Sequence, residues 1–218
     1  MTRPTNTVET IIIGSGFGGL GMAIELDRRQ LGSYVVLEKA SSIGGTWREN
    51  TYPGAACDVK ATLYHFSYAP WAWTRAYPPQ SEILAYISAT ADRYRVTPRI
   101  LFDKTVVSAT WKSEWALWEV KCADNTTYYG RYLVGATGQL NRPHVPEFAG
   151  RDQFAGAQFH TAQWNHDVDL TGKRVAIVGA GASAIAPIAA IFRHRAPRRL
   201  TFADMFHPVC SYLCSERR

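Results

Sequence analysis

One ordered run between Val8 and Glu38 limits this chain to very few folds. Val8, Glu9, Thr10, Ile11, Ile12 and Ile13 have the β-branched density of a buried strand. They lead into Gly14-Ser15-Gly16-Phe17-Gly18-Gly19, a helical stretch through Arg29, a second strand over 34–37, and Glu38. Gly14 permits the tight turn, Gly16 lets the backbone approach a diphosphate, and Gly19 lets the helix pack closely on the strand with its N–H groups facing the anion. An acid about twenty positions beyond the glycines stands where a ribose 2′-hydroxyl needs an acceptor. The same carboxylate repels a 2′-phosphate, so this loop suits FAD or NAD over NADP. The fold expected is α/β with a Rossmann-type sheet.

The pattern occurs twice. Lys173-Arg174-Val175-Ala176-Ile177-Val178 repeats the strand, and Gly179-Ala180-Gly181-Ala182-Ser183-Ala184 repeats the loop with alanine in the third glycine place. Two such loops imply two dinucleotides. Between them, Ser81 is expected to cap a helix with apolar spacing through Tyr94. Strands over 101–111, 118–123 and 128–134, with Asp124-Asn125 as turn residues, make a β-meander inserted in the first domain. The last strand runs into Gly135-Ala136-Thr137-Gly138, and residues 139–146, with two prolines and little periodicity, read as a boundary. The expected domains are therefore 1–145, a linker over 146–170, and a second nucleotide-binding domain starting at 171.

Composition removes several alternatives. The 46% hydrophobic content of 218 residues is ample for a buried core. The four cysteines (Cys57, Cys122, Cys210, Cys214) lack zinc-type pairing and are too few for a disulfide framework, so reduced thiols and no metal are expected. No leader-like start is visible, and a cytoplasmic location is expected. The uncharged run 175–192 approaches the length of a membrane span, but Gly179, Gly181 and Pro187 interrupt it, and a buried strand, turn and helix give the same hydropathy. The net charge of +6 is concentrated in Arg193, Arg195, Arg198, Arg199, Arg217 and Arg218 and carries no nucleic-acid motif.

Specific motifs follow Glu38. Ile43-Gly44-Gly45-Thr46-Trp47 and Tyr52-Pro53-Gly54-Ala55-Ala56-Cys57-Asp58 resemble the GGTW and YPGAxCD segments of the class B flavoprotein monooxygenases, which include Baeyer–Villiger and N-hydroxylating enzymes. Phe154, Gly156, His160 and Trp164 match FxGxxxHxxxW, the Baeyer–Villiger fingerprint, with Asn165 in place of its usual Pro or Asp. The resemblance implies that Gly45, Thr46 and Trp47 lie along FAD, that Asp58 sits beside the flavin ring and tunes it, and that Tyr64 touches the flavin. It also implies that Gly138 marks where the chain passes back over FAD, and that Gly179, Gly181 and Ser183 receive NADPH. The substrates implied are O2 and a small organic ketone, aldehyde or heteroatom compound. Asp58 also reads as a turn residue making an Asx-type hydrogen bond. For His160 three readings stand: a structural or conformational role in the linker, direct chemistry as catalytic residue, or a solvated loop histidine. Tyr64, Phe66, Tyr68, Trp71, Trp73 and Tyr77 are otherwise expected to pack.

Past Ile185 the resemblance is expected to fail. Pro187 removes a backbone donor one turn into the helix, and Thr201-Phe202-Ala203-Asp204-Met205 puts an acid where an arginine would hold a 2′-phosphate. The arginine-rich composition of the last thirty-odd residues reads as a frame change or early end. The expected function is thus an FAD- and NADPH-dependent monooxygenase. The alternatives are a partial chain that binds flavin without turning over, and a disulfide reductase, which needs a cysteine pair that Cys57 does not have.

Overall fold

A computed structural model of the chain describes residues 4–147, 149–179, 181–195, 199–203 and 212–216. It divides into two compact units interleaved in sequence. One comprises Met1–Arg48, Phe66–Trp71 and Ile83–Asn141; the other comprises Glu49–His65, Ala72–Glu82 and Arg142–Arg218.

The first unit is built on β1 (Thr7–Ile13), α1 (Phe17–Arg28) and β2 (Tyr34–Leu37). In β1, Ile11 and Ile12 point to opposite faces, yet both are fully buried, as in a parallel strand covered on each side. Gly16 caps α1 in an extended conformation, so the helix starts at Phe17, inside the glycine motif. Near the end of α1, the Tyr34 hydroxyl donates to Asp27 Oδ2 at 2.7 Å and accepts from Arg99 Nη1 at 2.9 Å, which fastens helix to strand. A short α2 (Thr46–Glu49) follows, then α3 (Gln80–Arg93). Ser81 falls inside the first turn of α3, because Gln80 N–H is already tied to Ala55 C=O at 2.9 Å behind Pro79.

The strands that follow are β3 (Ile100–Leu101), β4 (Val106–Lys112), β5 (Leu117–Cys122) and β6 (Thr127–Gly135). Where the pattern predicts one strand over 101–111, the structure has two. Asp103 takes a left-handed φ of 57°, and β3 pairs parallel to β2 before the chain turns away into β4. The sheet order is β3-β2-β1-β6-β5-β4. Hence β6 closes the antiparallel meander β4-β5-β6 and is also the parallel neighbour of β1, with Ile11 opposite Leu133. Gly130 makes room for this pairing, since a Cβ there would stand 2.8 Å from Ile11 Cγ1.

In the second unit, β7 (Ala157–His160), β8 (Arg174–Val178), α4 (Ala182–Arg195), β9 (Arg199–Ala203) and β10 (Tyr212–Glu216) form a sheet of order β7-β10-β8-β9. β8 and β9 are parallel, as strand–helix–strand connectivity requires, and β10 runs antiparallel between β7 and β8. α4 continues through Pro187 to Arg195. Ala184 and Ile191 are buried with Val175, Ile177 and Leu170, with Ile188 packed alongside, and this apolar burial offsets the missing donor. The run 175–192 is thus strand, turn and helix. Among the described residues no helix is long and apolar enough to cross a membrane.

Candidate dinucleotide sites

The first loop is shaped by what its glycines exclude. Gly14 has φ +101°, and a Cβ there would lie 2.5 Å from Ala136 O at the end of β6. A Cβ on Gly19 would lie 1.8 Å from Gly14 O, so helix and turn can touch only without a side chain. Gly16 differs: its Cβ would meet only Gly45 Cα, at 3.6 Å. Gly45, at φ +54°, approaches Gly16 from the segment 43–47, where Trp47 N–H and Arg48 N–H close the turn onto Gly44 and Gly45 carbonyls at 3.1 and 3.0 Å. The amino end of α1 therefore presents backbone N–H groups framed by bare glycine, which fits a diphosphate. Thr46 is exposed and Trp47 half-buried beside it.

Glu38 leaves the end of β2 and is 3% exposed. Its Oε2 accepts from Ser15 N–H at 2.8 Å and from the Ser15 hydroxyl at 2.7 Å. Its Oε1 accepts from Ala40 N–H at 3.0 Å and lies 3.3 Å from Arg48 Nη1. Burial pushes the Glu38 carboxyl up, but the Ser15 hydroxyl, the Ala40 and Ser15 amides and the Arg48 charge together hold it below its ordinary value. The acid expected at the ribose is present, ionised and bonded to the phosphate loop. Arg48 is a participant that the sequence did not single out, since nothing local marks an arginine ten residues on as its partner. Gly138, at φ +74°, is exposed three residues past the end of β6 that Ala136 brings beside Gly14.

Phe17 opens α1 and packs on Phe66 at 5.4 Å between ring centroids and on Tyr86 at 5.8 Å. The fully buried Tyr86 accepts from Phe66 N–H at 2.8 Å and donates to Ala69 C=O at 3.1 Å, fixing the segment 66–71 against the helix. Phe66 and Tyr68 thus pack, as expected, stacking at 5.2 Å, whereas Tyr77 is 50% exposed.

The remaining predicted residues belong to the second unit. Gly179 has φ +117°, close to the +101° of Gly14, and α4 starts three residues later as α1 does. Gly181 C=O accepts from Ala184 N–H at 2.8 Å, and Ser183 is half-buried in the first turn. Ala180 and Asp204 lie outside the described residues. Tyr52 to Ala55 form a turn closed by Ala55 N–H to Tyr52 C=O at 3.1 Å, with Pro53 and Gly54 (φ +80°) in its middle. A Cβ on Gly54 would meet Ala186 O at 2.6 Å and Ala190 Cβ at 3.0 Å, so this turn rests directly on α4. Asp58 is exposed, where a buried carboxylate is expected from the resemblance; its neighbours Ala55 and Cys57 take the buried positions. Tyr64 is half-buried in the same unit. Trp164 stacks edge-on against Phe159 at 5.2 Å and packs on the core beneath β8. His160 is 6% exposed, so it is no solvated loop residue. Its Nδ1 accepts from Ala162 N–H at 3.0 Å, which leaves the hydrogen on Nε2, a buried atom with no partner among the described residues. Burial, then the nearby His144, push its pKa down, so the ring is neutral.

Among the described residues, Cys57 and Cys122 are free and buried. Cys57 is buried, its sulfur accepts from Val59 N–H at 3.4 Å, and burial pushes the thiol up, away from the reactive thiolate. Among the described residues no His, Cys, Asp and Glu group could hold a metal.

Residues 11–197 match the family model described as pyridine nucleotide-disulphide oxidoreductase, so the likeness runs past Ile185, where it was expected to fail. A Baeyer–Villiger monooxygenase of Streptomyces coelicolor is 48% identical over 179 residues, 82% of this chain and 34% of that protein. A Baeyer–Villiger monooxygenase of Pseudomonas aeruginosa is 41% identical over 84% of this chain and 36% of its own. Among solved structures, cyclohexanone monooxygenase with ε-caprolactone bound superposes with a TM-score of 0.83 at 33% identity, over 91% of this chain and 39% of that one. Steroid monooxygenase bound to NADP gives 0.80 at 39% identity, over 90% and 38%. The chain thus spans about a third of the curated relatives it matches. It belongs to the pyridine nucleotide-disulphide oxidoreductase family.

Proposed function

We propose that these residues bind FAD at the first loop and NADPH at the second, as part of a cytoplasmic monooxygenase that transfers one oxygen atom from O2 to a ketone, aldehyde or heteroatom substrate, with Baeyer–Villiger oxidation favoured. The observation that carries this is the cradle at Gly14, Gly16 and Gly19, with its glycine face and buried ionised acid, in a chain whose relatives are Baeyer–Villiger and FAD-binding monooxygenases. FAD when bound supplies the redox and oxygen chemistry. The protein's share is binding and placement. Gly16, Gly45, Thr46 and Trp47 would lie along the diphosphate, and Glu38 would accept from the adenosine ribose. Gly138 would back the ligand, and Asp58 and Tyr64 would face the flavin edge. Gly179, Gly181 and Ser183 would take the second diphosphate. For His160, the unpartnered Nε2–H favours donation to a group that docks on the linker over catalysis.

Gly16 gives a clean test, because its extended φ of −75° and open surroundings tolerate a side chain. Gly16→Val should keep the wild-type melting transition yet lose FAD, whereas the wild-type chain should turn yellow on adding FAD. A wild-type protein that binds no flavin overturns the reading. NADPH added anaerobically should then bleach the bound flavin. Binding without bleaching would restrict these residues to cofactor binding, the second reading.

A further inference from the structure

Within that reading of the first loop, the Glu38 carboxylate has four protein donors around it: Ser15 N–H, Ser15 Oγ–H, Ala40 N–H and Arg48 Nη1. A carboxylate has about four acceptor positions. The two backbone donors are fixed by the chain, so a ribose diol can be accepted only where the Ser15 hydroxyl or Arg48 yields.

Arg48 is no surface charge. Its side chain is 14% exposed, its Nη1 also donates to Ser42 C=O, and its backbone N–H is held by Gly45 C=O. It is therefore anchored within one hydrogen-bond length of the ribose end of the loop. The other charged groups around Glu38 are placed differently. Lys39 is exposed, and Asp103 and Lys104 reach this corner through backbone N–H bonds to the Ala40 and Glu38 carbonyls.

We infer that Arg48 is a specificity-determining residue of the first dinucleotide site: paired with Glu38, it sets whether the ribose there is accepted with or without a 2′-phosphate. Glu38 alone repels that phosphate, and Arg48 alone would attract it as a guanidinium pairs with phosphate. Together they make the corner close to neutral, and the preference for a plain ribose rests on the balance of two opposite charges.

The inference rests on FAD binding at this loop, and the test separates the two. FAD fluorescence reports occupancy of the first loop, and 5′-ADP and 2′,5′-ADP are titrated as competitors, so binding at the second loop alone displaces nothing. The quantity read is the ratio of the inhibition constant of 2′,5′-ADP to that of 5′-ADP. Arg48→Met should raise the ratio about tenfold, and Glu38→Gln should lower it about tenfold, a shift of about 1.4 kcal/mol each way. A merely structural role would weaken both competitors together and leave the ratio unmoved. Where Glu38→Gln fails to fold, the rise in Arg48→Met carries the test by itself. A wild-type chain that binds no FAD overturns both readings. FAD binding with a ratio unmoved by Arg48→Met, or moved downward, overturns this inference alone.

Discussion

Ser15 occupies a variable position of the glycine motif, yet its amide and hydroxyl both bind Glu38 Oε2, and its side chain is 1% exposed. It converts the acid at the end of β2 into a brace for the phosphate loop. Because Glu38 has a folded pKa below its ordinary 4.5, the stability it contributes is complete above that value and is lost as pH falls through the folded pKa. Ser15→Ala removes the largest of the influences that lower it. The variant should lose about 1 kcal/mol at neutral pH, or roughly 2–4 °C of melting temperature. Its acid-side decline should also be shallower and end at a higher pH than the wild type's, because its folded pKa lies closer to 4.5. Melting curves collected from pH 3 to 7 check this, and superimposable acid limbs would refute the bracing role.

At the scale of elements, Pro187 and the strands show what local pattern carries. Pro187 leaves the Ser183 carbonyl without its helical donor, and the helix persists because Ala184, Ile188 and Ile191 have a core to bury in. Pro187→Ala should therefore stabilise the chain by about 1–2 kcal/mol, less than the full cost of about 3 kcal/mol for an interior proline because the buried ring is lost. Urea unfolding measures it; a lowered midpoint would mean that the ring's packing outweighs the restored bond. The uncharged run 175–192 already reads as strand, turn and helix, because the proline's penalty is local and the burial that offsets it is not. β1 and β2 were legible for the converse reason: their β-branched runs and following glycines state strand and turn within a few residues. The split of 101–111 into β3 and β4 was hidden, since only pairing with β2 and the left-handed Asp103 reveal it. The partnership of Glu38 with Arg48 was hidden too, because it depends on the Gly44-Gly45 turn directing the chain back to the loop.

For the molecule as a whole, sequence order and spatial grouping part company at Arg48. The segment 49–65, which carries the motif expected at the flavin edge, groups with the second nucleotide loop, while 66–71 returns to the first unit and is held by Tyr86. Gly54 is the tightest point of that grouping. Its φ of +80° suits glycine, and Ala186 O and Ala190 Cβ of α4 stand where a side chain would begin. The Thr51 hydroxyl adds a contact to His166 Nε2 at 2.9 Å. Residues 49–65 and α4 are therefore one packed body, and whatever moves the second loop carries Asp58 and Tyr64 with it. Gly54→Ala should break this without touching the first loop. Left-handed strain and displaced α4 contacts together cost about 2–3 kcal/mol, spent on local release of the turn. Hydrogen exchange resolved by peptide should show faster uptake across 49–65 and α4, with α1 and β1 unchanged. Uniform protection in both segments would mean that Gly54 is a turn residue only, and the coupling of the YPG segment to the second loop would have to be abandoned.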